Sequence, residues 1–581
     1  MKLSSVRLVS LLLFFASAVH AFSLDREAFT FTSYDLNVRV EPEQQRLGVR
    51  GKITLRNDSQ APQKIAVLQI SSSLDWRSIR AGGKQLQFVS QPFTSDIDHT
   101  GTLSEAIVTL PDAVAPKGTV DLEIAYEGVI VLDATRLTRL GAPEATAHSS
   151  DWDQIGTKFT AVRGVGYVAW YPIATEAADL SEGKNLFEIL GRWKAREATS
   201  NMHFKISVSR DDGERPPELL VNEASCRTLF EAVGRSQMVS SDCTYQLLGL
   251  VVPTFAMANF ELVDRSAIEI YYLNGHDVSA TTYADAAVKV LPFTAEWFGA
   301  PRSRVKTVDL ADPSASPFES GPLLLTPLAS TDPKLAGLAA AHQLTHAAFS
   351  SPRPWINEGL AHFAQVLYLE HQNGRQAALD YMGSHRSALS AVESEKRKQT
   401  TAPRSEDEVN QSLVNTYDEE LYRSKAMCVW WMLRDMVGDQ ALKNALASYR
   451  AEQDKEPSYM QRLIQAQTPR DLEWFFDDWV YRDRRLPDFK VASAFTRQTS
   501  PEVYLLTITV GNLGAAGAEV PLAVKFDGGE VTKRLVVRGK SNAVIRVEVP
   551  KSPQEIVVND GSVPESDMTN NVFKTEGDAA K

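Results

Sequence analysis

From Phe31 onward, apolar and polar residues alternate with a period of two. Tyr34, Leu36, Val38 and Val40 fall on one side of an extended chain and polar residues on the other. Leu47, Val49, Ile53 and Leu55 repeat the alternation after a polar turn, with Gly51 in the same phase. Short apolar runs at Ile65–Ile70, Ile107–Leu110 and Val120–Tyr126 extend the pattern with no helix-period stretch between them, and a second β-rich portion runs from Tyr167 through His203–Ser209 to about Leu262. Residues 22–264 are therefore expected to form one large antiparallel β domain.

The period changes after a strand at Ile268–Tyr272. Tyr283–Phe298 has helical spacing, with a break or kink at Pro292 and a stop at Gly299. A strand at Val305–Leu310 leads into a loop, and two helices follow, Leu335–Phe349 and the run opening at Trp355. Pro352 and Pro354 keep the two from merging. Gln376–Lys396 predicts a further amphipathic helix and Lys396–Glu408 an exposed charged loop. Tyr417–Val437 is the most hydrophobic helix, stopped by Gly438, with Asp439 as N-cap of the next. Thr468-Pro469-Arg470-Asp471 has the logic of a capping box before Leu472–Tyr481. Alternation then returns in five short strands, Val503–Val510, Val520–Phe526, Val531–Val537, Ala543–Val549 and Glu555–Val558. Five strands in so few residues predict an immunoglobulin-like sandwich. The chain thus reads as multidomain α+β: residues 22–264 β, 265–487 mainly helical, 488–575 β-sandwich, and 576–581 a polar tail.

Composition adds compartment and partners. The 581 residues are 43% hydrophobic and 23% charged, enough for several packed cores. A formal charge of −12 with no basic run argues against a nucleic-acid partner. Lys2 and Arg7 precede the apolar run Leu8–Ala16, and Val19-His20-Ala21 suits signal cleavage, so residues 1–21 read as an export signal. No later run approaches the length of a membrane span, so the mature protein is expected to be secreted or periplasmic, without a transmembrane segment. Cys226 and Cys243 are either bridged or two separate buried thiols; Cys428 reads as core. Nothing in the pattern indicates an oligomeric state.

The candidate chemistry lies between residues 342 and 358. His342 and His346 share one face of a helix of strong helix formers, one turn apart. With 10 histidines in the chain such a pair arises by chance about one time in six, so it carries little alone. Joined to Glu358 on the next helix, it makes the two-imidazole, one-carboxylate set of a catalytic zinc ion, Zn²⁺. Peptidases with His-Glu-x-x-His use that Glu as general base, whereas this chain has Gln343. An amide side chain does not take a proton from the attacking water.

Tyr126-Glu-Gly, Trp170-Tyr-Pro and Trp355-Ile-Asn-Glu-Gly, in this domain order, resemble the gluzincin aminopeptidases of the membrane alanyl aminopeptidase and leukotriene hydrolase type. The resemblance implies a β saddle, a thermolysin-like catalytic domain and a β-sandwich. It implies zinc ligands at His342, His346 and Glu358, and at Tyr422 a phenol that hydrogen-bonds the oxyanion. Three features depart from the family: Gln343 itself, the short interval 347–357 between His346 and Glu358, and Leu324. The last stands where the family's Gly-x-Met-Glu-Asn strand, here Gly321-Pro-Leu-Leu-Leu, would offer a Glu to the substrate amine.

Other side chains near the motif have plainer readings. His362, four after Glu358, is a supporting partner of the metal site, a substitute ligand, or an ordinary helix-surface histidine. Trp355 and Phe363 read as packing anchors, and Arg423 and Lys425 as solvent-facing. Glu319 reads as a solvated loop residue or as a stand-in for the missing amine-binding Glu, and it and Asp312 are the nearby acids that could reach the attacking water in place of Gln343. The expected function is an exported zinc metallopeptidase of aminopeptidase type, weak or inactive because of Gln343. The alternative is a non-catalytic module that binds peptides or proteins in the same cleft.

Overall fold

The computed structural model describes residues 24–182, 184–210, 216–223, 225–234, 236–399, 412–416, 418–482 and 484–575. The stretch expected to be an export signal, most of the charged loop after Lys396, Tyr417 and the polar tail lie outside these residues.

The amino-terminal part is built on an eight-stranded sheet with Phe29–Glu41 and Arg46–Asn57 at its centre. The alternation holds: Tyr34, Leu36, Val38 and Val40 are buried while Asp35, Asn37 and Arg39 are exposed. Gly51 is required by close approach, since a Cβ there would sit 2.1 Å from the Asp35 carbonyl oxygen. The expectation of one large antiparallel β domain needs two corrections. Phe29–Glu41 pairs in parallel with Asn201–Arg210. A 14-residue helix, Lys184–Glu197, also interrupts the strands, together with the short helices Thr135–Thr138 and Glu144–Ser150. Trp193, Leu186 and Ile189 supply the apolar face of the longer helix. Cys226 and Cys243 form a disulfide, joining the start of one edge strand to its neighbour.

Two of the motifs turn out to be framework. The Tyr126 hydroxyl donates to the Trp170 carbonyl at 2.9 Å, and the Trp170 indole N–H donates to the Pro253 carbonyl at 3.0 Å. Trp170 is fully buried and edge-on to Tyr171, Phe204 and Phe255, so these residues knit the sheets together.

The central part opens with a five-stranded sheet in the order Glu261–Arg265, Ile268–Tyr272, Val305–Asp309, Leu323–Thr326, Phe318–Ser320. Its three inner strands are parallel and both edges antiparallel. The first strand pairs with Ile268–Tyr272 and so belongs to this sheet. The helix expected at Tyr283–Phe298 starts earlier, at Asp277, and carries Pro292 within it. Helices Ala336–Ala348, Pro354–Asn373, Arg375–Gln399 and Ala426–Val437 follow. Trp355 and Trp430 stack with centroids 5.2 Å apart, and Phe363 meets Trp297 edge-on. Both Trp355 and Phe363 are fully buried packing anchors.

The stretch expected as one helix from Tyr417 to Val437 begins differently. Glu420–Lys425 is a π-helical turn, and the α-helix starts only at Ala426. The carboxy-terminal strands form a three-stranded and a four-stranded antiparallel sheet, with Phe489–Ser500 and Val572–Lys574 added to the five expected. Trp479, Phe489, Leu506 and Val524 belong to one apolar cluster that also holds Trp355 and Trp430. The helical part and the last sheets therefore share a core. Cys428 lies in it, its thiol pushed up to about 12 by burial. No helix of the described residues is long and apolar enough to cross a membrane.

Candidate metal centre

The helix Ala336–Ala348 lies against the central sheet on its small residues, Ala340, Ala341 and Ala347. This close seating fixes the opposite face, where His342 and His346 project one turn apart with ring centroids 4.9 Å from each other. The chain then reverses through residues 349–353. Arg353 Nε donates to Asp454 Oδ1 at 2.7 Å, and Tyr449, which reaches Ser351, donates to Asp454 Oδ2 at 2.6 Å. Pro354 opens the next helix at its first position and carries Glu358 in one turn later, where the helix dipole favours a carboxylate.

The three expected ligands converge. His342 Nε2 and His346 Nε2 are 3.3 Å apart, and Glu358 oxygens lie 3.8 Å and 3.5 Å from them. Two imidazole nitrogens facing each other at that range need a shared proton or a cation between them. The group is recessed but reachable, with 19%, 7% and 24% of the three side chains exposed. Burial, reinforced by His362, His346 and Arg423, holds His342 well below the usual histidine range and therefore neutral, the form that binds metal.

Around this triad, Asn357 braces the second histidine. Its Oδ1 accepts from the Ser351 N–H at 3.1 Å, and its Nδ2 lies 3.2 Å from His346 Nδ1. Arg423 Nε lies 3.8 Å from Glu358 Oε2, so this arginine reaches the site while 41% of its side chain stays exposed. Lys425 is buried, its ammonium 5.6 Å from the Trp479 ring. Both corrections have one cause: a π turn adds a residue per turn and rotates the succeeding side chains away from their α-helical directions. Tyr422, in the same turn, is 5% exposed, edge-on to Phe187, and donates to Glu419 at 3.4 Å. Burial pushes its phenol above the usual range, so it remains a protonated donor.

Gln343 is almost fully buried, and its Oε1 accepts from the Tyr283 hydroxyl at 2.5 Å. The two loop acids part company. Asp312 is exposed and caps its own turn, accepting from the Ser314 N–H and hydroxyl. Glu319 is not a solvated loop residue: it sits in the strand Phe318–Ser320, paired with Leu324 across the turn at Gly321. Its carboxylate lies within 4.8 Å of ring nitrogens of His342 and His346 and accepts a hydrogen bond from Gln343. Burial pushes this carboxyl above the usual range, against the pull of His346. Leu324, at the position expected for an amine-binding Glu, is fully buried against the histidine helix.

His362 is no surface residue. Its ring lies 4.8 Å from that of His342, and burial lowers it to about 4. The Lys184–Glu197 helix closes one side of the site: Phe187 touches Tyr422, and the Gly191 backbone approaches Pro352. Sequence reasoning passed over Asn357, Tyr283 and this helix. Of these, only Asn357 carried a signal, being inside the motif beside Glu358.

Residues 352–479 match the Peptidase family M1 domain, a stretch that carries Glu358 and Tyr422 and begins six residues after His346. No curated protein sequence matches the chain significantly. Among solved structures, the fold is similar to that of an M1 zinc metallopeptidase from Deinococcus radiodurans. That pair shares 14% identity, covers 76% of this chain and 91% of that one, and has a TM-score of 0.51. A mutant M1 zinc metallopeptidase from the same organism gives 16% identity, 79% and 96% coverage and a TM-score of 0.51. A mutant two-domain M1 zinc metallopeptidase bound to L-tryptophan gives 15%, 76%, 91% and 0.50. Residues 352–479 thus carry a Peptidase family M1 domain match, and the fold around them is similar to that of M1 zinc metallopeptidases.

Proposed function

We propose that this chain is an exported zinc metallopeptidase of aminopeptidase type, with His342, His346 and Glu358 as the ligands of one zinc ion. The observation that carries this reading is the separation of the donor atoms. Ligands at about 2.0–2.2 Å around a tetrahedral zinc stand roughly 3.3–3.6 Å from one another. The separations here are 3.3, 3.5 and 3.8 Å. Zinc bound there would supply Lewis acidity toward a scissile carbonyl and lower the pKa of a water toward about 7.

The chain's own residues do the rest. Glu358 is steadied by Arg423, and Asn357 fixes the His346 ring. Tyr422 offers a protonated phenol to the developing oxyanion. Gln343 accepts no proton, and a general base typically contributes about 10²–10⁴-fold. Turnover is therefore slow unless another carboxylate takes that part. A second reading, a peptide-binding protein without hydrolysis, is favoured by one observation: Tyr283 already occupies the Gln343 carbonyl oxygen.

The leader at residues 1–21 and the Cys226–Cys243 bridge support an oxidising compartment, secreted or periplasmic. We read the three parts of the chain as a β saddle, a thermolysin-like catalytic domain and an immunoglobulin-like sandwich, acting on peptide substrates. The test is cleavage of an N-terminally free peptide and its acetylated counterpart by zinc-loaded protein, with and without chelator. Slow, chelator-sensitive cleavage that prefers the free peptide is expected. Tight binding of the peptide with no cleavage would select the second reading.

A further inference from the structure

We propose that Glu319 is the catalytic proton acceptor of this site, and that Gln343 is a positioning residue that orients it. This rests on the zinc-peptidase reading above.

The placement of the groups carries the inference. Glu319 and Leu324 are directly opposed across the antiparallel pair Phe318–Ser320 and Leu323–Thr326, so their side chains leave the same face of the hairpin. That face is turned to the histidine helix, where Leu324 is buried among Ala340, Ala341 and Leu344. Glu319 is thereby delivered to within 4.8 Å of ring nitrogens of both histidines. Glu358 lies closer, at 3.5 and 3.8 Å, the range of a ligand. Glu319 is near enough to share an ion with the two histidines, and its greater distance from them than Glu358 is what assigns it to the water.

The amide of Gln343 explains why the acceptor moved. Its Oε1 is taken by the Tyr283 hydroxyl, which leaves its NH₂ for the Glu319 carboxylate. A glutamate at 343 would set two carboxylates side by side, an arrangement that like charges oppose. A glutamine there instead donates to Glu319 and holds it. The carboxylate has in effect crossed from the helix to the adjoining hairpin.

The step balances. A Glu319 oxygen takes one proton from water as the water oxygen bonds to the scissile carbonyl carbon and the carbonyl electron pair moves onto its oxygen. The carbonyl re-forms as the C–N bond breaks, and the proton passes from Glu319 to the departing nitrogen. Glu319 ends as a carboxylate, the products are an acid and an amine, and no oxidant or reductant is needed.

The experiment compares wild type, Glu319→Gln, and Glu319→Gln combined with Gln343→Glu, all full length and zinc-loaded. Zinc affinity is measured alongside kcat and KM on free and acetylated peptides. Glu319→Gln is expected to lower kcat about 10²–10⁴-fold with zinc affinity and KM within threefold. The double variant, with its carboxylate back on the helix, is expected to recover at least tenfold. Four results would overturn the proposal. Zinc affinity falling tenfold or more in Glu319→Gln would make Glu319 a ligand. A rise in KM confined to the free peptide would make it an amine anchor. A kcat unchanged in the single variant, or not recovered in the double, would remove the role. Absence of turnover in the zinc-loaded wild type would sink the peptidase reading as well, which distinguishes that failure from the other four.

Discussion

Asn357 reaches back across the helix hairpin to His346, its Nδ2 3.2 Å from the ring's Nδ1, while its neighbour Glu358 approaches the same ring from the other nitrogen at 3.5 Å. Two consecutive residues thus contact both ends of one imidazole, Asn357 by packing its amide against the ring. Asn357 also ties down the turn through the Ser351 N–H. Removing a group that orients a metal-binding histidine commonly weakens affinity by about 10–100-fold. Asn357→Ala is expected to weaken zinc binding by that factor, measured by competition with a chromophoric chelator. An unchanged affinity would mean that the ring is positioned by its other contacts alone.

Tyr422 provides the second prediction. Its ring is fixed by Phe187 and its hydroxyl is directed by a weak bond to Glu419. Loss of one oxyanion donor typically lowers kcat by about 10²–10³-fold. Tyr422→Phe is expected to show such a loss with zinc content unchanged. A kcat within threefold of wild type would assign the residue to packing.

Gly359 follows Glu358 at the point where two helices touch. A Cβ there would meet the Ala426 Cβ at 2.7 Å and the Trp430 indole nitrogen at 3.0 Å. Overpacking of this kind costs about 1–3 kcal/mol. Gly359→Val is expected to lower the urea midpoint and loosen zinc binding together, because Glu358 is one residue away. A variant as stable as wild type would show that the helices separate at little cost.

Glu197 gives a pH dependence away from the metal. Burial raises its carboxyl to about 7 in the folded protein, from an ordinary value of 4.5, despite Arg196 at 3.7 Å. The folded state then keeps a proton that the unfolded chain releases. The resulting stabilisation is complete below about pH 4.5 and is lost as the pH rises through about 7, a change on the order of 3 kcal/mol. Glu197→Gln is expected to flatten this decline in chemical denaturation between pH 5 and pH 8. Parallel curves for the two proteins would contradict it.

Much of this was legible in the sequence, for identifiable reasons. The alternation at Tyr34–Val40 and in the carboxy-terminal strands marks a face against a core, and period two survives into the fold. The i, i+4 histidines and the proline-delimited second helix carry the candidate site, since both depend on local geometry alone. The features that escaped depend on distant or irregular structure. Arg423 and Lys425 were assigned to water because helical spacing assumes an α-helix, and the turn Glu420–Lys425 is π. Glu319 looked like a loop residue because the three-residue strand that holds it is too short to show a period. The parallel pairing of Phe29–Glu41 with Asn201–Arg210 spans more than a hundred residues and leaves no local trace.

The central claim is that His342, His346 and Glu358 grip one divalent ion. Elemental analysis of the full-length protein after zinc loading and desalting tests it most directly, with His342→Ala treated in parallel. One zinc per wild-type chain, and its loss from the variant, are expected. A wild type that retains none, or a variant that retains it fully, would contradict the claim.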